Sequence, residues 1–457
     1  MIRRVGIVLG LGMIAIPAMA AGQTGDFAIP AGSALPNYDR ISIGQREGIE
    51  ANAFVARTND AGANWYNPAG LAQSERSALN ASANAYEFTG MALVGTQASR
   101  GGTRFSSIGS FFGGVIGAPI VKSDRWRFGF SFTKPVSWEP SQIEGELRSI
   151  GTTTAEGLLF SSSVSMSTSI PAVAVGYKLS DRVRLGVSLA YAITSLNQRA
   201  SLSDRFLQAP SAETAMRSLE TDGTTGGLLL TGGVQVDLAS NIHLGATITS
   251  PGSLVSGSSL VIYQLTDFSG EGSRDLFFRD PEASFDYRFP IKATLGAAVS
   301  FGKAEIEADL RYHGSRDSYV IFTSNVPATI ITTDAAGVPT VTNASFAPIV
   351  EDTKEVFNLA IGGHYAFSPS FRVHAGFFTD DSPVNNAETS LFRKLDLTGF
   401  SGGVSFGAGR LKASAGLSTS RGTSDERVIG PSVGGVTGVT RIKVTTFNLL
   451  YAISFGF

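Results

Sequence analysis

The sequence predicts an all-β fold: an antiparallel transmembrane β-barrel of about 14 strands, an even number as bacterial barrels require, with an N-terminal plug inside the lumen. Three observations carry this expectation. Apolar residues recur at every second position along most of the chain, the period of a strand whose two faces meet different surroundings. Short and long connections alternate between these runs, as they do between the two ends of a membrane barrel. The final run, Phe447, Leu449, Tyr451, Ile453, Phe455 and Phe457, keeps the alternation to the last residue.

Bulk composition agrees with a barrel and removes other classes. The 457 residues include 36 basic and 38 acidic side chains, for a formal net charge of -2. That balance leaves no basic stripe for nucleic acid. Cysteine is absent, so disulfides and thiolate metal sites are excluded. Charged residues make up only 16% of the chain. Yet no apolar run beyond the N-terminus reaches the roughly 20 residues of a membrane-spanning helix. Hydrophobicity spread over alternate positions is how a lipid-facing barrel carries it.

Residues 1–20 read as a secretory signal peptide. Arg3 and Arg4 precede an apolar core, and Ala18-Met19-Ala20 is a small-x-small cleavage site. Residues 21–76 lack sustained periodicity and are rich in Gly, Pro, Asn and small residues. A segment of that length without strands is unusual unless it packs inside something, so it is assigned as the plug. Its centre is residues 64–72, NWYNPAGLA. Asn67-Pro68 initiates a turn, because proline fixes φ and holds Asn67 extended. Gly70 admits backbone angles that other residues resist, and Trp65, Tyr66 and Leu71 supply apolar surface.

Residues 77–457 form the barrel. The longest alternating run is 285–301, with Phe285, Tyr287, Phe289, Ile291, Leu295, Val299 and Phe301 on one side and Asp286, Arg288, Lys292 and Thr294 on the other. A turn at Gly302-Lys303 leads to Ile306, Ala308, Leu310 and Tyr312, against Glu305, Glu307, Asp309, Arg311 and His313. Further turns are expected at Ser180-Asp181, Ser240-Asn241, Ser368-Pro369-Ser370 and Ala408-Gly409. Long loops are expected at about 133–160, 199–225, 251–282, 314–352, 379–394 and 420–440.

No catalytic constellation stands out, and no cofactor is expected. The four histidines, His243, His313, His364 and His374, fall on lumen faces. The turn at 368–370 sets His364 and His374 opposite each other. A metal is conceivable there, but a wetted polar lumen accounts for the pair, and no metal site is assigned. Two of the long loops carry exposed apolar residues, which on a secreted barrel bind something or pack together. One holds Leu202, Phe206, Leu207, Met216 and Leu219; the other holds Leu260, Phe268, Leu276 and Phe277. In the third strand, Thr133, Lys134 and Pro135 interrupt the ladder, because proline has no N–H to donate. That break marks either a strand end outside the membrane or a lateral gap in the wall.

Residues 59–72, NDAGANWYNPAGLA, resemble the N-terminal signature of the FadL-type family of outer-membrane transporters for long-chain fatty acids and other hydrophobic compounds. TDDSPV at 379–384 resembles the end of a late strand in that family. The likeness implies that Asn67, Pro68, Ala69, Gly70 and Leu71 belong to a lumen-filling hatch. It implies that the two apolar loops form a ligand-capturing groove, and that 133–135 lies at a lateral gap made by an inward kink of the third strand. It implies passive transport of long-chain fatty acids by hatch movement and sideways exit. Alternatives are uptake of aromatic hydrocarbons, found in the same family, and a structural or adhesive barrel without transport. Arg288, Lys292, Arg311 and Arg372 are lumen cations that could meet a carboxylate. The C-terminal Phe457 resembles the signal read by the barrel insertion machinery. A monomer in the outer-membrane lipid, with both termini periplasmic, is expected. One departure bears on substrate more than fold: at 385–397 the family's proline- and aspartate-rich stretch is replaced by NNAETSLFRKLDL.

Overall fold

A computed structural model describes residues 36–94, 99–100, 103–138, 143–150, 154–208, 211–269, 272–385, 392, 394–427 and 439–457. The signal peptide and the start of the expected plug lie outside the described residues. Fourteen strands form the barrel: β1 (Ala78–Val94), β2 (Thr103–Ile116), β3 (Trp126–Trp138), β4 (Thr154–Lys178), β5 (Val183–Gln208), β6 (Ser211–Ala239), β7 (Ile242–Thr249), β8 (Lys292–Phe301), β9 (Ala304–His313), β10 (Val356–Ser368), β11 (Phe371–Asp380), β12 (Leu397–Ala408), β13 (Leu411–Arg427) and β14 (Val439–Gly456). Each pairs antiparallel with the next. β14 returns to β1, from Ala78↔Gly456 to Val94↔Arg441, and closes the sheet. A closed sheet has no edge and leaves no backbone row unpaired in lipid.

The short turns fall where the alternation stops. β4–β5, β6–β7, β8–β9, β10–β11 and β12–β13 are joined by tight turns at one end of the barrel. Gly302 and Gly409 take φ of +62° and +61° there, a left-handed conformation that favours glycine. The outward positions are apolar throughout: Phe128, Phe130 and Phe132; Leu185, Val187 and Leu189; Leu295 and Val299; Ile306 and Leu310; Phe447, Tyr451 and Phe455 are all exposed. A continuous apolar outer face of this extent suits a bilayer rather than water.

Four of the six expected long loops are largely strand; 379–394 leaves its strand at Asp380, and most of 420–440 past Arg427 lies outside the described residues. Residues 199–225 continue β5 and β6, paired from Val183↔Val236 to Gln208↔Ser211. Residues 251–282 form a hairpin, Ser253–Ser269 with Gly272–Phe285, laid against β6. The stretch 314–352 holds four short strands, Arg316–Thr323, Ala328–Asp334, Pro339–Ala344 and Ile349–Thr353, and 133–160 holds Ile143–Ile150. Above the bilayer both strand faces can be polar, so the period-two signal fades while the backbone still needs its partners.

The run 285–301 is likewise not one strand. Pairing ends at Phe285 and resumes at Lys292, with Pro290 between them. Phe285 is 0% exposed and Leu295 is 62% exposed, although both sit at odd positions. The first half of the run turns inward over the interior. There Phe285 stacks on Phe322 at 4.6 Å and Phe278 on Phe346 at 5.4 Å. With Trp138, Leu219, Leu276 and Tyr287 these rings form an apolar cluster at the end of the barrel carrying the strand extensions.

Residues 36–76 are almost wholly buried against the inner wall. They contain one helical turn, Ala63–Tyr66, and a 3-10 turn, Pro68–Gln73. The wall is shaped to receive them. A Cβ built on Gly129, Gly176, Gly186, Gly233, Gly245, Gly362 or Gly376 would come within 2.7 Å of this segment. Seven glycines on seven strands let the segment lie directly on the wall backbone, which accounts for part of the 53 glycines in the chain.

Candidate functional site

Between the N-terminal segment and the wall lies a cavity of about 1100 Å³ of empty space, counting what opens to solvent. Tyr38, Ile41, Ile43, Trp65 and Tyr66 line it from the segment. Pro135, Val136, Ile170, Leu229 and Phe289 line it from the wall and the inturned stretch. Its polar groups gather on one side: Asp39, Lys292, Arg311 and His313. An apolar chamber with a few convergent polar groups is the form of a small-molecule site.

That polar side is a network. Asp39 Oδ1 lies 3.2 Å from Lys292 Nζ and 3.7 Å from Arg311. Its Oδ2 is 2.8 Å from His313 Nε2 and accepts from Asn358 at 2.9 Å. Burial alone would raise the Asp39 carboxyl, but Lys292, His313 and Arg311 hold it well below the usual carboxylate range. Lys292 also sits 5.8 Å from the Trp65 ring centre. Two cations, Lys292 and Arg311, therefore converge on the Asp39 carboxylate at this side of the cavity.

Beside the cavity the β2–β3 ladder stops short, and Arg40 of the segment donates to Ser137 O of β3 there. β2 and β3 pair only from Ile116↔Phe128 to Phe111↔Thr133. Beyond that point β2 continues against β1 as far as Thr103, and β3 continues against β4 from Val136 to Trp138. No pairing joins the two continuations among the described residues. Farther out, Ser99-Arg100 pairs with Glu144-Gly145 and bridges the seam again. The β3–β4 register slips between Thr133 and Val136, around Pro135. A Cβ at Gly109, on the β2 side of the seam, would meet nothing within 4 Å.

The NPAGL turn is held by its asparagine. Asn67 Oδ1 accepts from Ala69 N at 3.1 Å, while its Nδ2 donates to Val55 O and to Val234 O of the wall, both at 3.0 Å. Pro68 opens the 3-10 turn. A side chain at Gly70 would strike Thr58 O at 2.2 Å. Ala69 and Leu71 are fully buried. A second set of contacts joins the segment to β9. Asp309 accepts from Phe54 N, Glu307 accepts from Ala56 N, and Arg57 reaches Glu305 and Glu307.

The remaining residues singled out in the sequence are dispersed. Leu202, Phe206 and Leu207 lie on β5, Met216 and Leu219 on β6, and Leu260, Phe268, Leu276 and Phe277 on the hairpin, all in strands rather than loops. Leu202, Leu219 and Leu276 are buried, whereas Met216, Phe268 and Phe277 point out. None of these residues lines the cavity. Of the four cations, Lys292 and Arg311 line it; Arg288 pairs with Asp286 and Arg372 lies elsewhere on β11. Asp39, Trp65, Phe289 and His313 complete the cavity, and only its convergence in space reveals them as a set. Glu50, His364 and His374 form a separate cluster of potential metal donors.

No protein-family model matches the chain, and neither does any curated protein. Solved structures do match. The toluene transporter TodX of Pseudomonas putida aligns at TM-score 0.57 and 16% identity over 92% of this chain and 99% of its own. The toluene transporter TbuX of Ralstonia pickettii aligns at 0.57 and 14% over 92% and 99%. A Pseudomonas aeruginosa FadL homologue aligns at 0.54 and 14% over 93% and 99%. The chain has the fold of the FadL-type channels, a closed barrel of 14 antiparallel strands with extra strands.

Proposed function

We propose that the chain is a FadL-type outer-membrane channel that passes hydrophobic compounds from an inner chamber sideways into the bilayer. The observation that carries this reading is the meeting of two features: the cavity is lined by Pro135 and Val136, where the β2–β3 ladder has stopped. Unpaired backbone at membrane depth costs several kcal/mol per group. A wall that keeps such a seam beside an apolar chamber has a use for it. An apolar solute leaving through the seam enters lipid without crossing water. Residues 36–76, the described part of the expected plug, act as the hatch, and their displacement from the wall opens the path. We read the transport as passive movement down a gradient.

Long-chain fatty acids are the substrate this chamber suits best. Lys292 and Arg311 stand at the end of an apolar space, an arrangement that suits a carboxylate head and a hydrocarbon tail. Aromatic hydrocarbons are the second reading, supported by the fold's likeness to proteins described as toluene transporters. Uptake of labelled oleate and of toluene, in cells lacking their own transporter, separates the two. Uptake of oleate above background supports the first and uptake of toluene alone the second. No gain for either compound leaves a structural or adhesive barrel.

A further inference from the structure

We infer that Glu50, His364 and His374 form a binding site for a divalent transition-metal ion of the zinc class, fastening the N-terminal segment to the barrel wall. The three side chains come from three elements. Glu50 belongs to the segment, His364 to β10 and His374 to β11. The two histidines face each other across the ladder, and their rings stand 5.5 Å apart. Both present Nδ1 to the same carboxylate oxygen: Glu50 Oε1 lies 2.5 Å from His374 Nδ1 and 3.3 Å from His364 Nδ1.

Two imidazole nitrogens and a carboxylate oxygen are a zinc-type donor set; magnesium and calcium prefer oxygen alone. The surroundings support this reading. His374 Nε2 bonds Ser405 Oγ at 2.7 Å, the outer contact that orients a ligating imidazole. Arg57 occupies Oε2 of Glu50 and leaves Oε1 to the histidines. Glu305 Oε2 stands 3.8 Å from His364 Nδ1 but takes Arg57 Nη1, which itself lies 3.4 Å from His364 Nδ1 and must move aside when an ion binds. Arg57 is itself answered by Glu50, Glu305 and Glu307, so its charge is met by three carboxylates near the site. Glu50 is fully buried and His374 is 2% exposed, which shields the donors from competing water.

A bound ion would tie the loop around Glu50 to β10 and β11, so loading the site would hold the segment in place. This inference stands apart from the transport reading, because metal affinity is measured without any substrate. The test is calorimetric titration of zinc sulfate into the full chain, purified in detergent and stripped with chelator. We expect one ion per chain, no competition from magnesium, and an X-ray absorption edge showing two imidazole nitrogens. His364→Ala and His374→Ala each abolish binding, while Ser405→Ala weakens it by about 10–100-fold. Zinc slows amide exchange around Glu50 in the unmodified chain only. Heat-modified gel mobility checks that each variant still forms a barrel, and His364→Gln serves if His364→Ala does not. Stoichiometric binding that survives the paired histidine substitution overturns the inference. So does failure of the unmodified chain to bind zinc, which leaves a hydrogen-bonded triad alone.

Discussion

Replacing Asn67 by alanine should loosen the N-terminal segment without disturbing the barrel. Asn67 is fully buried and makes three hydrogen bonds. The bond to Val234 O ties the segment to β6; those with Val55 O and Ala69 N hold the turn that presents it. At about 1 kcal/mol net for each bond, the one bond that crosses to the wall contributes roughly 1 kcal/mol of docking free energy, and the other two act through the shape of the turn. With tenfold per 1.4 kcal/mol, the released population rises by roughly fivefold from that bond alone. Planar-bilayer conductance reads this directly, since a released segment opens the lumen to ions. We expect frequent open events in Asn67→Ala and few in the unmodified protein, with the same heat-modified mobility for both. Asn59→Ala, which removes only a contact with Arg46, serves as the control. Equal conductance in Asn67→Ala and the unmodified chain would refute the idea that this turn holds the seal.

Other substitutions probe the cavity, the seam and the segment's titration. Lys292→Met removes half of the positive charge facing the chamber, and a charged hydrogen bond is worth about 1.5–3 kcal/mol, so oleate binding should weaken by roughly 10–100-fold. Toluene binding should be unchanged; equal losses for both ligands would assign Lys292 to folding instead. Gly109→Trp, at a position with open space around the added Cβ, should slow ligand release into liposomes while equilibrium binding persists. Unaltered release would move the exit elsewhere. Burial, and after it Asp60, pushes the Glu47 carboxyl up to about 8 from 4.5. The folded value lies above the unfolded one, so this stabilisation is full below about pH 4.5 and is lost as the pH rises to about 8. Amide exchange around Glu47 should quicken over that interval in the unmodified chain and stay flat in Glu47→Gln; a flat profile in both would remove Glu47 from the account.

The barrel was legible because its signal is local. Lipid demands an apolar residue at each outward position, so Phe128, Phe130 and Phe132, or Leu185, Val187 and Leu189, announce their strand and its orientation. Turns such as Gly302-Lys303 punctuate that signal. The strand extensions were not legible, because outside the bilayer neither face has to be apolar and β5 and β6 run on through polar residues. The inward turn at Pro290 was hidden by parity. Phe285 and Leu295 occupy matching odd positions, and nothing in the alternation separates a ring buried under a cap from one in lipid. The cavity was the least legible part. Asp39, Trp65, Phe289 and His313 are far apart in the chain and meet only through barrel closure and a segment without periodicity. The facing of His364 and His374 followed from the turn at 368–370; the arrival of Glu50 between them did not.

The seven bare positions where the wall meets the N-terminal segment bear on how such a chain can change over generations. Cork and bottle neck touch there with no methyl-sized slack. A side chain gained on the neck can be matched by volume lost from the cork only where it meets a cork side chain, as Gly129 meets Asn64 and Gly233 meets Asn67. Drift at Gly129 is thereby coupled to Asn64 and drift at Gly233 to Asn67, while Gly186 and Gly362 face cork backbone and stay glycine, and the greasy exterior remains free to exchange one hydrocarbon for another. Divergent relatives should therefore disagree most on the outside and keep paired records of change along this inner rim.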